Sequence, residues 1–142
     1  MVQHAALADS VLVSLDVAAQ IASAGVNGTV IDMQGWSGCM YVFNLGAMVS
    51  GATLDARVMG SANANMSVNA NVTNAAFTQI TNASNLNVAV IDVWRPTQRY
   101  LLMVTTPATA NTTYSCTAIR YGRTGNRPPT QAATQIVRVI AN

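Results

Sequence analysis

The stretch that decides the fold runs Trp94-Arg95-Pro96-Thr97-Gln98-Arg99-Tyr100, through Leu101–Thr106, across Pro107–Thr112, and on from Thr113 to Arg120-Tyr121-Gly122. Two apolar runs, Tyr100–Val104 and Tyr114–Ile119, flank a segment containing Pro and Asn. That pattern predicts a long antiparallel hairpin. Pro96 has no N–H for a sheet ladder, so it belongs before the first strand, and it pushes Arg95 toward extended geometry.

Working outward, the same alternation recurs along the chain. Cys39–Leu45 places Tyr41, Phe43 and Leu45 on one face and Met40 and Val42 on the other, as in a central strand covered on both sides. Thr53–Met59 sets Leu54, Ala56 and Val58 against Asp55 and Arg57, and Leu86–Val93 sets Val88 and Val90 opposite Ala89 and Ile91. Asn27-Gly28 is a tight-turn dipeptide. Trp36, between Gly35 and Gly38, is expected to cap one end of a sheet by packing on the core. Ser61 to Asn87, dominated by Asn, Ala, Thr, Ser and Val, is expected to be a long loop with one or two short strands. Val11, Val13, Leu15 and Val17 alternate in the first 25 residues, and Gln135–Ile140 alternates near the other end. The expected fold is all-β, a sandwich of jelly-roll-like type with about seven to nine strands and extended N- and C-terminal arms. Residues 1–25 form an arm or edge strand, 26–124 the core domain, and 125–142 a linker with a docking strand.

The composition narrows function. Of 142 residues, 51% are hydrophobic and only 8% charged, against about 25% charged in an ordinary soluble domain. No apolar run reaches the roughly 18 residues of a spanning helix, and no signal peptide is expected. Every acid is Asp and every base is Arg. Asp9, Asp16, Asp32, Asp55 and Asp92 precede six of the seven arginines. A weakly hydrated, amide-rich surface suits burial against neighbours, and Arg makes flat, bidentate bonds to carboxylates. Without lysine clusters, a net charge of +2 argues against nucleic acid as the partner.

Catalytic groups are sparse. His4 is the sole histidine, so nucleophile–base arrangements lack a base. Two cysteines and one histidine do not make a zinc site without carboxylates. Asp32 and Asp92 are a conceivable acid–base pair, but solvated aspartates at turns fit the pattern better. Cys39 and Cys116 fit buried free thiols, with a disulfide as the alternative. No catalytic, cofactor or metal residue is assigned. Aromatics interleave with arginines at Arg99-Tyr100 and Arg120-Tyr121-Gly122-Arg123.

Three blocks together resemble the capsid decoration or cement proteins of tailed bacteriophages: Val26–Trp36 followed by Met40–Ala47, Val93-Trp94-Arg95-Pro96 leading to Arg99–Val104, and Tyr114–Ile119 ending in Tyr121-Gly122-Arg123. The similarity extends over roughly Val26 to Pro129. The resemblance implies a non-enzymatic protein on the outer surface of a capsid assembled in the host cytoplasm. Its partners would be the major capsid protein and itself, as a homodimer or homotrimer, with neither nucleic acid nor membrane. Arg95, Arg99, Arg120, Arg123 and Arg127, with Trp94 and Tyr121, are the expected contact residues. The alternative is a carbohydrate-binding or adhesive sandwich using Trp36, Trp94, Tyr114 and Tyr121 as a sugar platform.

Overall fold

The computed structural model describes residues 7–125 together with residues 130 and 131. Among them are ten strands: β1 (Leu12–Ala22), β2 (Val26–Asn27), β3 (Ile31–Asp32), β4 (Gly38–Met48), β5 (Thr53–Ser61), β6 (Ala70–Ala76), β7 (Ile80–Thr81), β8 (Val88–Trp94), β9 (Tyr100–Ala108) and β10 (Thr112–Tyr121). One sheet has the order β1-β10-β4-β8. The other has the order β2-β9-β5-β6, with β3 also on β9 and β7 also on β5. All pairings are antiparallel, and the two sheets face each other as an all-β sandwich. The runs Arg127 and Gln135–Ile140, like His4, lie outside the described residues.

Alternation builds the core. Cys39, Tyr41, Phe43 and Leu45 of β4 and Tyr114, Cys116 and Ala118 of β10 point inward, toward Leu54, Ala56 and Val58 of β5 and Leu101 and Met103 of β9. Phe43 meets the edge of Phe77 at 5.2 Å between ring centres. Both cysteines are buried free thiols. Cys39 lies opposite Arg120 and Cys116 opposite Phe43, an offset of roughly 13 Å along the strand, so they are too far apart to bridge.

Several expectations are corrected. The hairpin does not form: β9 lies in one sheet and β10 in the other. Thr109, with φ of 70°, turns the chain over into an arch across the core. Leu101 and Met103 face Tyr114 and Cys116 through that core instead of lying beside them in one ladder. Asn27-Gly28 is not a hairpin turn either. β2 and β3 both pair with β9, and the Gly28 N–H bonds Met103 O at 2.8 Å, so together they are one interrupted strand. Gly28 is there because any Cβ would overlap the Asp16 carboxylate. In β1 a register shift between Leu15 and Val17 ends the expected alternation and buries Asp16 and Val17 consecutively. Lastly, β4 is central, yet among the described residues only its inner side faces another sheet. Met40 and Val42 stand on the outer face, half-buried.

Candidate functional site: an arginine-bearing end of the sandwich

The site begins with a missing side chain. Tyr121, Gly38 and Trp94 lie side by side across β10, β4 and β8, and directly paired residues share a sheet face. A Cβ on Gly38 would overlap the Tyr121 ring. Glycine therefore lets that ring cross β4 and stack on Trp94, at 5.7 Å and 8° between planes. The Tyr121 hydroxyl donates to Asp92 Oδ1 at 2.5 Å. Burial, reinforced by the Asp92 charge, pushes the phenol's pKa well above its usual value.

The next residues follow from backbone ties. The Arg95 N–H bonds Ser37 O at 2.7 Å, and Ser37 Oγ donates to Gly122 O at 2.8 Å. These bonds draw the ends of β8 and β10 toward the start of β4. Arg95 is not extended as Pro96 would favour. Its φ is 49°, a left-handed conformation held by the Ser37 bond, and its guanidinium lies 5.4 Å over Trp94. Non-glycine residues in this region carry strain that the surrounding structure must impose.

Asp32, at the end of β3, organises the second half. Arg99 Nε and Nη2 donate to its two carboxylate oxygens at 2.9 and 2.7 Å, the bidentate geometry for which arginine is suited. This pairing holds the Asp32 carboxyl down at about 2 and raises the Arg99 pKa. Arg120 Nη1 donates to the Asp32 backbone O at 2.9 Å. Arg120 and Arg123 lie 5.6 and 5.8 Å from the centre of the Trp36 ring, and Arg99 lies 5.0 Å over Tyr100. Between these groups runs an open groove of about 500 Å³, walled by Met33, Trp36, Arg95, Pro96 and Arg99.

The structure thus gathers Arg95, Arg99, Arg120, Arg123, Trp94 and Tyr121 at one end of the sandwich; Arg127 lies outside the described residues. Two further residues complete this end. Trp36 packs partly on the core but also serves as the surface beneath two guanidiniums. Asp32 is an exposed aspartate that also clamps Arg99, and its spacing from Arg99 carries no local motif by which to find it. Asp32 and Asp92 do not act as a pair, since one holds Arg99 and the other accepts from Tyr121. Tyr114 does not belong to any surface platform: it is 2% exposed, because its seven-residue offset from Tyr121 puts the two on opposite faces of β10.

Cation–aromatic stacking and guanidinium–carboxylate forks hold these cations in fixed orientations. Each leaves part of a planar cation available for a further acceptor. No family model and no curated protein matches this chain. Among solved structures, the chain is similar to the PBSX exported protein XepA, with a TM-score of 0.59 and 12% identity over 90% of this chain and 43% of that one. It is also similar to a structure described as "Bacillus endospore appendages form a novel family of disulfide-linked pili", with a TM-score of 0.44 and 17% identity over 81% of this chain and 90% of that one. The chain therefore spans less than half the length of XepA, and the likeness to XepA is one of fold.

Proposed function

We propose that this protein is a non-enzymatic structural component of a bacteriophage virion, binding the outside of the capsid and stapling neighbouring major capsid protein subunits. The observation that carries this reading is the concentration of Arg95, Arg99, Arg120 and Arg123 on aromatic supports at one end of a weakly charged sandwich. Such an end suits an acidic protein surface, where planar guanidiniums make forked bonds with carboxylates. Repeated over a lattice, modest contacts add through multivalency. We read the interleaved strand orders, β1-β10-β4-β8 and β2-β9-β5-β6, as the winding of a jelly roll, an architecture found in viral capsid and lectin domains.

The test is binding of the purified full chain to DNA-free capsids of the encoding phage, read as occupancy per particle. Arg95→Ala combined with Arg123→Ala is expected to lower the apparent affinity at least tenfold with an unchanged circular dichroism spectrum, and added salt should weaken the wild type. Absence of wild-type binding to capsids at any salt concentration would refute the reading. The adhesive alternative loses Tyr114 from its platform, and the Trp94 ring already carries Tyr121 and Arg95. Sugar-dependent tryptophan fluorescence would revive it.

A further inference from the structure

One side of β1 carries no strand among the described residues, because β1 ends the order β1-β10-β4-β8. The backbone groups on that side are nevertheless engaged. The Val13 N–H donates to Gln131 Oε1 at 3.1 Å, and Gln131 Nε2 donates to Val11 O at 2.5 Å and to Ala8 O at 2.7 Å. Ladder groups point alternately to the two sides of a strand. Leu12 and Ser14, opposite Arg120 and Ala118, therefore serve β10, while Val11 and Val13 serve the open edge. The carboxamide spends both of its hydrogens and one oxygen lone pair there. A donor on Val11 O and an acceptor on the Val13 N–H are the two bonds that a neighbouring strand would make.

We propose that Gln131 guards this edge: its carboxamide takes the place of a strand and keeps an extended segment from adding to β1 at Val11–Leu15. The sequence of the edge makes a guard necessary. Val11-Leu12-Val13-Ser14-Leu15 is apolar and branched at every position but Ser14, with no charge and no proline. Stretches of that composition are templates for strand addition when their ladder groups are open. Farther along β1 the backbone protects itself. Register shifts fall between Leu15 and Val17 and between Val17 and Gln20, and such bulges bend a strand so that a straight partner cannot follow it. Val11–Leu15 is the straight part, and the carboxamide sits on it. Glutamine suits the task by its chemistry. A glutamate of the same shape would set a carboxylate against two carbonyl oxygens, and an alanine would reach neither of them. The segment excluded is extended and uncharged, since it would lie beside Leu15, which is 63% exposed, where a charge would lose hydration without gaining a partner.

Two measurements on the full chain test this: hydrogen exchange at single amides, followed by NMR, and binding of a blocked fluorescent peptide with the sequence of Val11–Leu15. In the wild type the Val13 amide should be protected although it faces away from β10, and the peptide should not bind. Gln131→Ala should speed exchange at Val13 by about tenfold or more and admit the peptide. The Leu12 and Ser14 amides, which face β10, should stay slow, and the circular dichroism spectrum should not change. Gln131→Glu keeps the size and the acceptor but loses both donors, so it should admit the peptide as well. A Val13 amide that exchanges freely in the wild type, or whose rate ignores Gln131→Ala, would overturn the proposal. So would a peptide that binds the wild type as tightly as the variants, or one that binds neither variant.

Discussion

Tyr121 and Trp94 stack at 5.7 Å across a strand that places no side chain between them, because the intervening residue is Gly38. The contact that organises the arginine-bearing end therefore depends on an atom that is absent. Gly38→Ala is expected to swing the Tyr121 ring off Trp94, costing about 1 kcal/mol from the stack alone. Near-ultraviolet circular dichroism should lose its aromatic signal while the far-ultraviolet strand spectrum persists. An unchanged aromatic spectrum would show that the ring does not need that space.

Inside the core, one hydroxyl pair ties the two sheets. Thr105 Oγ1 donates to Val26 O at 2.7 Å, so its single proton is committed and Tyr114 must donate to Thr105 across 2.7 Å. Thr105→Val removes the acceptor of the Tyr114 hydroxyl, which keeps its bond with Gln20, and the donor to the Val26 carbonyl, and is expected to cost about 1–3 kcal/mol. Tyr114→Phe removes only the donor and should cost about 1 kcal/mol. Urea denaturation of the two variants checks the order; equal losses would contradict the assigned direction of donation.

Asp16 makes stability depend on pH in the mildly acidic range. Burial pushes its pKa up to about 6, against the opposing pull of the Thr29 N–H and the Cys116 thiol. Between the ordinary carboxyl value near 4 and this raised value, the folded state holds the proton that the unfolded state has lost. Stability therefore falls as pH rises from about 4 to about 6, by a few kcal/mol at most, and then levels off. Asp16→Asn should flatten this slope, provided Asn keeps the Thr29 bond. Denaturant midpoints at pH 4.5 and 7.5 for both proteins decide it, and a slope that survives in the variant would assign the effect elsewhere.

Asp32 acts in the opposite direction and in a lower window. Its carboxyl is held down at about 2, chiefly by Arg99, so its contribution is present above pH 4 and lost as pH falls toward 2. The pair is exposed, 46% and 41% at the two side chains, so Asp32→Asn should cost at most about 1 kcal/mol in global stability. The larger expected effect is local: Arg99 should lose its fixed orientation, visible as collapse of its side-chain NMR signal dispersion. Retention of that dispersion in the variant would remove Asp32 as the clamp.

Strand identity was largely legible from the sequence, and in β5 the alternation of Leu54, Ala56 and Val58 with Asp55 and Arg57 also names the inward residues, whereas in β4 and β8 both faces are apolar and alternation leaves the inward side open. The partners of each strand were not legible. Pro107–Thr112 shows that the chain reverses, but a turn signal is the same whether it closes a hairpin or an arch, and only tertiary packing chooses. The Leu15/Val17 bulge was invisible for a similar reason: one extra residue breaks alternation without any compositional mark, so Asp16 looked outward. The arginines and Trp94 were found because they cluster in sequence. Asp32 was not placed with them, and Trp36 was grouped with Trp94 only as a sugar platform and not beneath the arginines, since β3, β4, β9 and β10 converge only in three dimensions. The parity separating Tyr114 from Tyr121 was available, and it alone would have removed Tyr114 from the surface platform.

The position of β10 has a bearing on how the chain is born. It lies between β1 and β4, so on a ribosome the first long strand waits without a neighbour until nearly all the described residues have emerged. Ladders joining such distant segments close slowly compared with local hairpins. The β1–β10 ladder therefore closes after the β5–β6 and β4–β8 ladders, and the apolar side chains of β1 need shielding during that wait.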